Sequence, residues 1–229
     1  MGNVATNLEH LRKKINRMAL NCGRNPATIK LMAVSKKFPV HQIRTALTTG
    51  QKLFGENRIQ EAEDKILELA NPDVEWHLIG PLQSNKAARA VELFDVIQTL
   101  DRTKIAKKVN ELALKSGKVM KVFIEANIGE EPQKHGVPPN QICEIVRLVD
   151  TMKGLDLLGL MAIPPYHSNP ECSRPYFRKL AQALNKINCW RDKPLKGLSM
   201  GMSHDYRIAI EEGSTLIRIG TAVFGTRVP

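Results

Sequence analysis

Short apolar runs recur along the chain, and each is followed by a polar break and then by an amphipathic stretch. The runs cover residues 29–36, 52–57, 74–80, 95–100, 121–128, 155–163, 195–201 and 215–225. They are rich in β-branched residues and almost continuously apolar, as is typical of strands in a parallel sheet that helices cover on its outer face. The pattern therefore predicts eight parallel strands.

The stretches between these runs carry apolar residues at helical spacing. They predict helices over 40–49, 58–69, 83–92, 102–116, 139–151, 172–188 and 206–212, with one more over 4–20 before the first strand. Only seven helices follow the eight predicted strands. The N-terminal helix is therefore expected to pack beside the last strand and to complete the outer ring.

This order predicts an α/β protein with one domain over residues 1–229, a (β/α)8 TIM barrel. The competing architecture is an open, doubly wound sheet. Such sheets usually have about five to seven strands and often a glycine-rich first turn. No G-x-G-x-x-G motif follows the first predicted strand. We therefore favour the barrel.

The composition is that of a folded globular protein, since 42% of the residues are hydrophobic and 25% are charged. The formal net charge of +11 makes nucleic acids, anionic membranes and phosphorylated small molecules candidate partners. The basic residues are scattered singly or in pairs, with few aromatic residues nearby for base stacking. We therefore expect no nucleic-acid partner.

The cysteines and the N-terminus give no sign of export or membrane insertion. The cysteines are Cys22, Cys143, Cys172 and Cys189, far apart and without metal-ligand spacing. This pattern favours reduced thiols in a cytoplasmic protein and predicts no metal site. No apolar stretch reaches the length of a membrane span, and no signal peptide precedes the first helix. The start "MGNVAT" fits a myristoylation pattern, but so short a match is expected by chance.

Two neighbouring lysines end the first predicted strand, in "LMAVSKKFP". Because successive strand residues point to opposite faces, Lys36 and Lys37 cannot both point into the barrel. Lys36 continues the row of Met32 and Val34, whereas Lys37 begins the following loop. Lys36 is therefore the better candidate for chemistry at the mouth, where barrel active sites lie. It is either a strand-terminal lysine that reaches solvent or a partly buried amine that attacks a carbonyl.

Arg218 lies within the apolar run "LIRIG", where a guanidinium keeps its proton and requires a partner. That partner is either a barrel glutamate, such as Glu56 or Glu125, or an acceptor on a ligand. His77, in "EWHLIG", is either a base or a buried histidine whose ring nitrogens are both hydrogen-bonded. Lys134 lies in a loop that could reach over the mouth.

Two small-residue turns follow the last two predicted strands, "GMS" at 201–203 and "GT" at 220–221. The loops at these places in a barrel commonly hold phosphate through backbone N–H groups and hydroxyls. Neither turn is specific alone. Together they predict that both loops converge on one phosphate.

Five segments, together with the chain length, resemble the pyridoxal-phosphate homeostasis protein family, the YggS family, which is related to the barrel domain of alanine racemase. The segments are "LMAVSKKFP", "FGENRIQE", "WHLIGPLQSNK", "GLMAIP" and "LSMGMSHDYRIAIEEGSTLIRIGTAVFG". The resemblance covers nearly the whole chain. It implies the barrel of fold type III pyridoxal 5'-phosphate (PLP) proteins.

The resemblance also implies a cofactor site. PLP would be held as an aldimine, a Schiff base, on Lys36. Its phosphate would lie near Ser203, Gly220 and Thr221, and Arg218 would face the pyridine nitrogen. The same resemblance implies further pocket residues, namely Asn57, His77, Ser199 and Met202.

What the family implies about function is a PLP carrier that maintains PLP, vitamin B6 and amino-acid homeostasis and supplies PLP to apo-enzymes. The alternative is a weak PLP-dependent amino-acid racemase. Alanine racemase takes a second base from a tyrosine of another domain, and none of Tyr166, Tyr176 and Tyr206 obviously replaces it. Arginine at the ring nitrogen would also weaken the ring as an electron sink. We therefore expect a monomeric carrier without turnover.

Overall fold

Eight parallel strands close into a barrel in the order in which they occur along the chain. The structure, a computed structural model, describes residues 3–226. The strands are β1 (Lys30–Val34), β2 (Leu53–Glu56), β3 (Glu75–Leu78), β4 (Val96–Leu100), β5 (Met120–Ala126), β6 (Leu155–Ala162), β7 (Gly197–Ser199) and β8 (Leu216–Ile219). The predicted barrel is confirmed. The first two residues of "MGNVAT" lie outside the described residues.

Nine α-helices occur within residues 3–226. They are α1 (Val4–Asn21), α2 (Val40–Leu47), α3 (Ile59–Leu69), α4 (Ala87–Leu93), α5 (Thr103–Lys115), α6 (Ile142–Asp150), α7 (Arg174–Asn188), α8 (Tyr206–Glu211) and α9 (Thr221–Phe224). None of these helices combines the length and the apolar character needed to cross a bilayer.

Helix α1 covers the place where the barrel closes. Asn3 caps its first turn by accepting a hydrogen bond from the Ala5 N–H at 3.0 Å. The helix packs against α2, α8 and α9, and Asn7 Nδ2 donates to the Val223 carbonyl at 2.9 Å. Beneath it, β1 pairs with β8. The N-terminal helix therefore completes the outer ring, as its position in the sequence predicted.

Apolar side chains form two cores, one inside the barrel and one between the barrel and the helices. The inner core consists of Met32, Val34, Leu53, Val96, Phe123, Met161 and Leu216. Ala33 and Phe54, which alternate with inner residues along β1 and β2, belong to the outer core. This alternation follows from the two-residue period of a strand. It confirms the predicted row of Met32 and Val34 inside the barrel.

The backbones of β6 and β7 approach each other very closely at Gly159 and Gly197. A Cβ atom on Gly159 would lie 1.9 Å from the Gly197 carbonyl oxygen. One on Gly197 would lie 2.6 Å from Cε1 of Phe123. The barrel therefore closes here only because both residues lack a side chain.

The structure differs from the sequence prediction at the ends of several elements. β8 ends at Ile219, and the apolar residues predicted to extend it to 225 form α9 instead. Val223 and Phe224 of α9 are buried in the outer core. Helix α4 begins at Ala87 rather than at 83 because a short 3-10 turn over Ser84–Lys86 precedes it.

Candidate functional site

A cavity of about 510 Å³ opens at the carboxyl ends of the strands. Its lining comes from residues of β1, β5 and β8 and from the loops that follow β1, β2, β3, β5, β6, β7 and β8. Seven of the nine sequence-predicted site residues line it, namely Lys36, Asn57, Met202, Ser203, Arg218, Gly220 and Thr221. The cavity thus lies at the end of the barrel where the sequence predicted a site.

Lys36 lies two residues after the end of β1 and lines the cavity, whereas Lys37 is exposed. The backbone turns between them, because Lys37 has a left-handed φ of 64°. A non-glycine residue in this region carries strain, so neighbouring contacts must stabilise the turn. The prediction that only Lys36 faces the mouth is confirmed.

Buried ion pairs behind β1 supply those contacts. Lys65 of α3 donates to the Ser35 carbonyl, to Glu56 Oε1 and to Glu61 Oε1, each at 2.7 Å. Glu56 Oε1 also accepts from Ser35 Oγ at 2.7 Å, and Glu61 accepts from the Lys37 N–H. Burial raises the pKa of the Glu56 carboxyl, and Lys65 and Ser35 oppose the shift. The cluster holds the backbone on both sides of the cavity-facing lysine.

The loops after β7 and β8 bring hydroxyl and N–H groups together at the rim. Ser203 Oγ lies 3.3 Å from Thr221 Oγ1 and accepts weakly from the Ala222 N–H at 3.5 Å. Asp205 fixes the first loop, since its Oδ1 accepts from the Met202 N–H at 2.7 Å. The convergence predicted from the "GMS" and "GT" turns is therefore present.

Arg218 lies on the cavity floor and is buried. Its guanidinium donates to the Ser199 carbonyl at 2.6 Å, to Ser199 Oγ at 2.7 Å and to the Ala162 carbonyl at 2.9 Å. Burial lowers its pKa to about 10, and the charges of Asp205 and Glu125 oppose that shift. The group therefore stays a cation at neutral pH. Within residues 3–226 no carboxylate lies within salt-bridge distance of it.

Glu125, on the inner face of β5, also lines the cavity. It is only 9% exposed, and burial together with the negative charge of Asp101 raises its pKa to about 7, although Arg218 opposes the shift. Of the two glutamates proposed as partners of Arg218, Glu125 therefore interacts with the guanidinium through its charge and not through a direct ion pair. The other, Glu56, is bonded to Lys65 on the outer face.

His77 and Ser199, which the family resemblance places among the pocket residues, are not among the residues that line this cavity. Both lie deeper in the barrel and are buried. The His77 ring has a partner at each nitrogen, since Nε2 lies 2.8 Å from Glu75 Oε1 and Nδ1 lies 2.7 Å from Gln98 Nε2. Of the two interpretations left open for His77, the buried and fully hydrogen-bonded histidine is therefore correct.

Several lining residues were not predicted as part of the site. Besides Glu125 they include Gln133, Lys134 and His135 from the loop after β5, and Tyr166 and His204 at the rim. Lys134 contacts the Pro164 carbonyl at 3.2 Å, so its loop does reach over the mouth. Alternation along "KVFIEA" indicates that Glu125 points inward with Phe123, a signal that was available in the sequence.

Comparison with known proteins gives consistent matches over the full length. Residues 6–228 match the family described as alanine racemase, N-terminal domain. A protein of Aquifex aeolicus named pyridoxal phosphate homeostasis protein is 40% identical over 98% of this chain and 99% of its own. A protein of Escherichia coli strain K12 with the same name is 41% identical over 99% of this chain and 98% of its own.

Comparison with solved structures gives the same result as comparison of the sequences. PipY of Synechococcus elongatus, in a structure with PLP bound, superposes with a TM-score of 0.86 at 34% identity, over 97% of this chain and 100% of that one. An alanine racemase of Clostridium difficile superposes with a TM-score of 0.76 at 16% identity, over 98% of this chain and 56% of that one, and shows the shared fold. The chain therefore belongs to the alanine racemase N-terminal domain family and, within it, to the proteins named pyridoxal phosphate homeostasis protein.

Proposed function

We propose that this protein binds PLP in the cavity, holds it covalently through Lys36, and serves PLP, vitamin B6 and amino-acid homeostasis as a carrier. One observation carries the proposal. The Lys36 side chain and the polar groups of Ser203, Gly220 and Thr221 line the same cavity. An amine and a phosphate-binding rim are the two features that an aldehyde bearing a phosphate requires.

The residues present fit PLP. The cavity of about 510 Å³ is of the size that takes a small ligand. Its rim offers the hydroxyls of Ser203 and Thr221, and its floor offers the cation of Arg218. Among residues 3–226, the hydrogen-bond acceptors around the Arg218 guanidinium are neutral, so an acceptor on a ligand adds to its partners without displacing a carboxylate.

Each group then has a distinct role. Ser203, Thr221 and the Gly220 backbone bind the phosphate, while Lys36 supplies the amine. PLP supplies an aldehyde, which condenses with a neutral primary amine with loss of water. The cluster of Lys65, Glu56 and Glu61 keeps the turn at Lys36 in place.

A carrier fits these groups better than an enzyme. Arg218 cannot give its proton to the pyridine nitrogen, so the ring is a weak electron sink. A racemase also requires a second base that is fixed across the substrate from the lysine. Tyr166 lines the cavity and lies 5.4 Å from the His204 ring, but its side chain is 80% exposed. Solvent therefore competes with any substrate for its hydroxyl.

An absorbance titration tests the covalent link. Wild-type protein, Lys36→Ala and Lys37→Ala are each mixed with PLP and their absorbance spectra are recorded. Each sample is then reduced with borohydride, which converts an imine to a stable secondary amine, and digested for mass spectrometry. Lys37→Ala is the matched control, because it removes the exposed neighbour. We expect the near-visible absorbance band and a modified peptide in wild type and Lys37→Ala, and neither in Lys36→Ala. A band that persists in Lys36→Ala would refute the assignment.

The alternative, a weak amino-acid racemase, is favoured only by the position of Tyr166. Incubation of the PLP-loaded protein with L-alanine in deuterated water separates the two functions. Exchange of the α-proton at an enzyme-like rate that falls in Tyr166→Phe would establish the racemase and remove the pure carrier. For the carrier we expect PLP transfer to an apo-enzyme, a monomer in solution and a cytoplasmic location.

A further inference from the structure

A row of polar side chains crosses the barrel interior beneath the cavity. Arg218 donates to Ser199 Oγ at 2.7 Å, and Ser199 Oγ donates to Gln98 Oε1 at 2.6 Å. Gln98 Nε2 lies 2.7 Å from His77 Nδ1, and His77 Nε2 lies 2.8 Å from Glu75 Oε1. These five residues, which we call the donor chain, run from the cavity floor to the opposite end of the barrel.

The direction of every hydrogen bond in the donor chain is fixed by its two ends. A guanidinium can only donate, so Ser199 Oγ accepts from Arg218 and gives its own proton to Gln98. The carboxylate of Glu75 can only accept, so His77 carries its proton on Nε2 and leaves Nδ1 to accept from Gln98. A reversed amide at Gln98 would leave two acceptors, His77 Nε2 and Glu75, facing each other.

The electrostatics agree with this direction. Burial lowers the pKa of His77, and Glu75 opposes the shift, so the imidazole is neutral and has one proton to place. The His77 hydrogen bond, working against partial burial, lowers the pKa of Glu75, which keeps that end anionic. The donor chain therefore begins at a cation and ends at an anion, and each hydrogen bond polarises the next.

Burial of the polar groups of the donor chain inside an apolar barrel costs free energy unless each group is hydrogen-bonded. Ser199, Gln98 and His77 are all buried, and their neighbours on the inner face include Val96 and Met161. An unpaired polar group at such a depth costs about 1–3 kcal/mol. All three side chains are hydrogen-bonded, and the donor chain ends at Arg218. We therefore expect the donor chain to act at the cavity floor.

We propose that Gln98, Ser199 and His77 are positioning residues that hold the Arg218 guanidinium against a bound PLP ring. The proposal rests on the proposed function, because the ligand is PLP. Gln98 is the central member, since its amide alone can accept from Ser199 and donate to His77 at once. Glu75, whose side chain is 40% exposed, connects the donor chain to solvent at the far end of the barrel.

Gln98→Leu cuts the donor chain at similar volume. The matched control is Gln51→Leu, which removes another buried glutamine that bonds the Leu31 and Leu53 carbonyls away from the cavity. We expect the Kd for PLP to rise about tenfold in Gln98→Leu, the effect of roughly one hydrogen bond, and to stay within about twofold in Gln51→Leu. Equal affinity in both variants, or an equal loss in both, would overturn the proposal.

Nitrogen-15 NMR of His77 in the PLP-free protein gives a readout that does not depend on binding. We expect the Nε2–H tautomer in wild type and in Gln51→Leu, and a mixture of tautomers in Gln98→Leu. An Nδ1–H tautomer in wild type would overturn the assigned direction. If wild type fails to bind PLP, the proposed function fails, while the His77 spectrum still decides whether the donor chain exists.

A second variant covers the case in which Gln98→Leu does not fold. Gln98→Glu keeps the acceptor for Ser199 but has no proton for His77 Nδ1. We expect PLP affinity within about threefold of wild type, since the half of the chain next to Arg218 is intact, together with a second proton on His77. A tenfold loss of affinity with an unchanged His77 spectrum would contradict the proposal.

Discussion

Glu125→Gln tests the electrostatics of the cavity floor through stability. The carboxyl of Glu125 is buried, and burial and Asp101 raise its pKa to about 7, whereas the usual value is 4.5. A raised pKa means that the folded state prefers the protonated carboxyl. The glutamine has a similar shape and stays neutral at every pH, so it removes only this titration.

Proton linkage determines whether the free energy of unfolding rises or falls with pH. Below pH 4.5 the carboxyl of Glu125 is protonated in the folded and in the unfolded state, so its ionisation does not lower the free energy of unfolding. As the pH rises to about 7, the unfolded chain loses its proton first, so the free energy of unfolding falls. Above that pH both states are ionised and the full cost remains. At 1.36 kcal/mol per pH unit, the difference between the two pKa values of Glu125 corresponds to about 3 kcal/mol.

Urea denaturation of the PLP-free protein, followed by circular dichroism from pH 5 to 8.5, measures this effect. We expect the stability advantage of Glu125→Gln over wild type to grow with pH and to level off just above neutrality. Glu68→Gln is the control, because that glutamate is exposed and carries the same charge. The stability difference of Glu125→Gln from wild type is compared with that of Glu68→Gln at each pH.

A difference between Glu125→Gln and wild type that stays constant over this range would refute the reasoning. It would mean that the folded carboxyl titrates near its usual pKa, and hence that water or the Arg218 cation stabilises the ionised form on the cavity floor. An advantage that shrinks as the pH rises would refute it more strongly, because it would reverse the sign.

Two further predictions concern the frame around the site. Lys65→Met leaves the buried Glu56 carboxyl without its cation, and we expect a loss of about 3 kcal/mol in urea unfolding, regained in part when Glu56→Leu is added. Gly159→Ala places a methyl group 1.9 Å from the Gly197 carbonyl, and we expect a loss of at least about 3 kcal/mol by the same assay. Gly117→Ala is its control, since that methyl group meets nothing within 4 Å and should cost only about 1 kcal/mol of backbone strain. Wild-type-like unfolding of Lys65→Met or of Gly159→Ala would contradict the corresponding argument.

The side on which a residue lies could be predicted from the sequence, because strand alternation determines it. Lys36 and Lys37 were separated correctly on this basis. The height of a residue in the barrel could not be predicted, since the alternation repeats at every level. His77 and Ser199 point inward but lie below the cavity. There His77 is hydrogen-bonded to Gln98 and Glu75, and Ser199 is hydrogen-bonded to Arg218 and Gln98. Their depth depends on the stagger of the strands, which only the closed barrel defines.

The end of β8 shows another limit of sequence patterns. The run from Thr215 to Gly225 is mostly apolar, with Arg218 as its one charged residue, and it predicts one long strand. In the structure the strand stops at Ile219, and the next turn becomes a helix because Val223 and Phe224 find an apolar surface under α1. That surface belongs to the other end of the chain, so no local pattern contains it. Thr221 consequently lies at the cavity rim and not within a strand.

The closure of β1 on β8 also determines when the site can exist. Lys30 pairs with Leu216 and Met32 with Arg218, although these partners are 186 residues apart in sequence. Contacts of such separation form late in folding, because a long loop must be closed first. Lys36 and Thr221 stand on either side of this seam. A partly folded or still growing chain would therefore lack the proposed cofactor site, and capture of PLP would report that the barrel is complete.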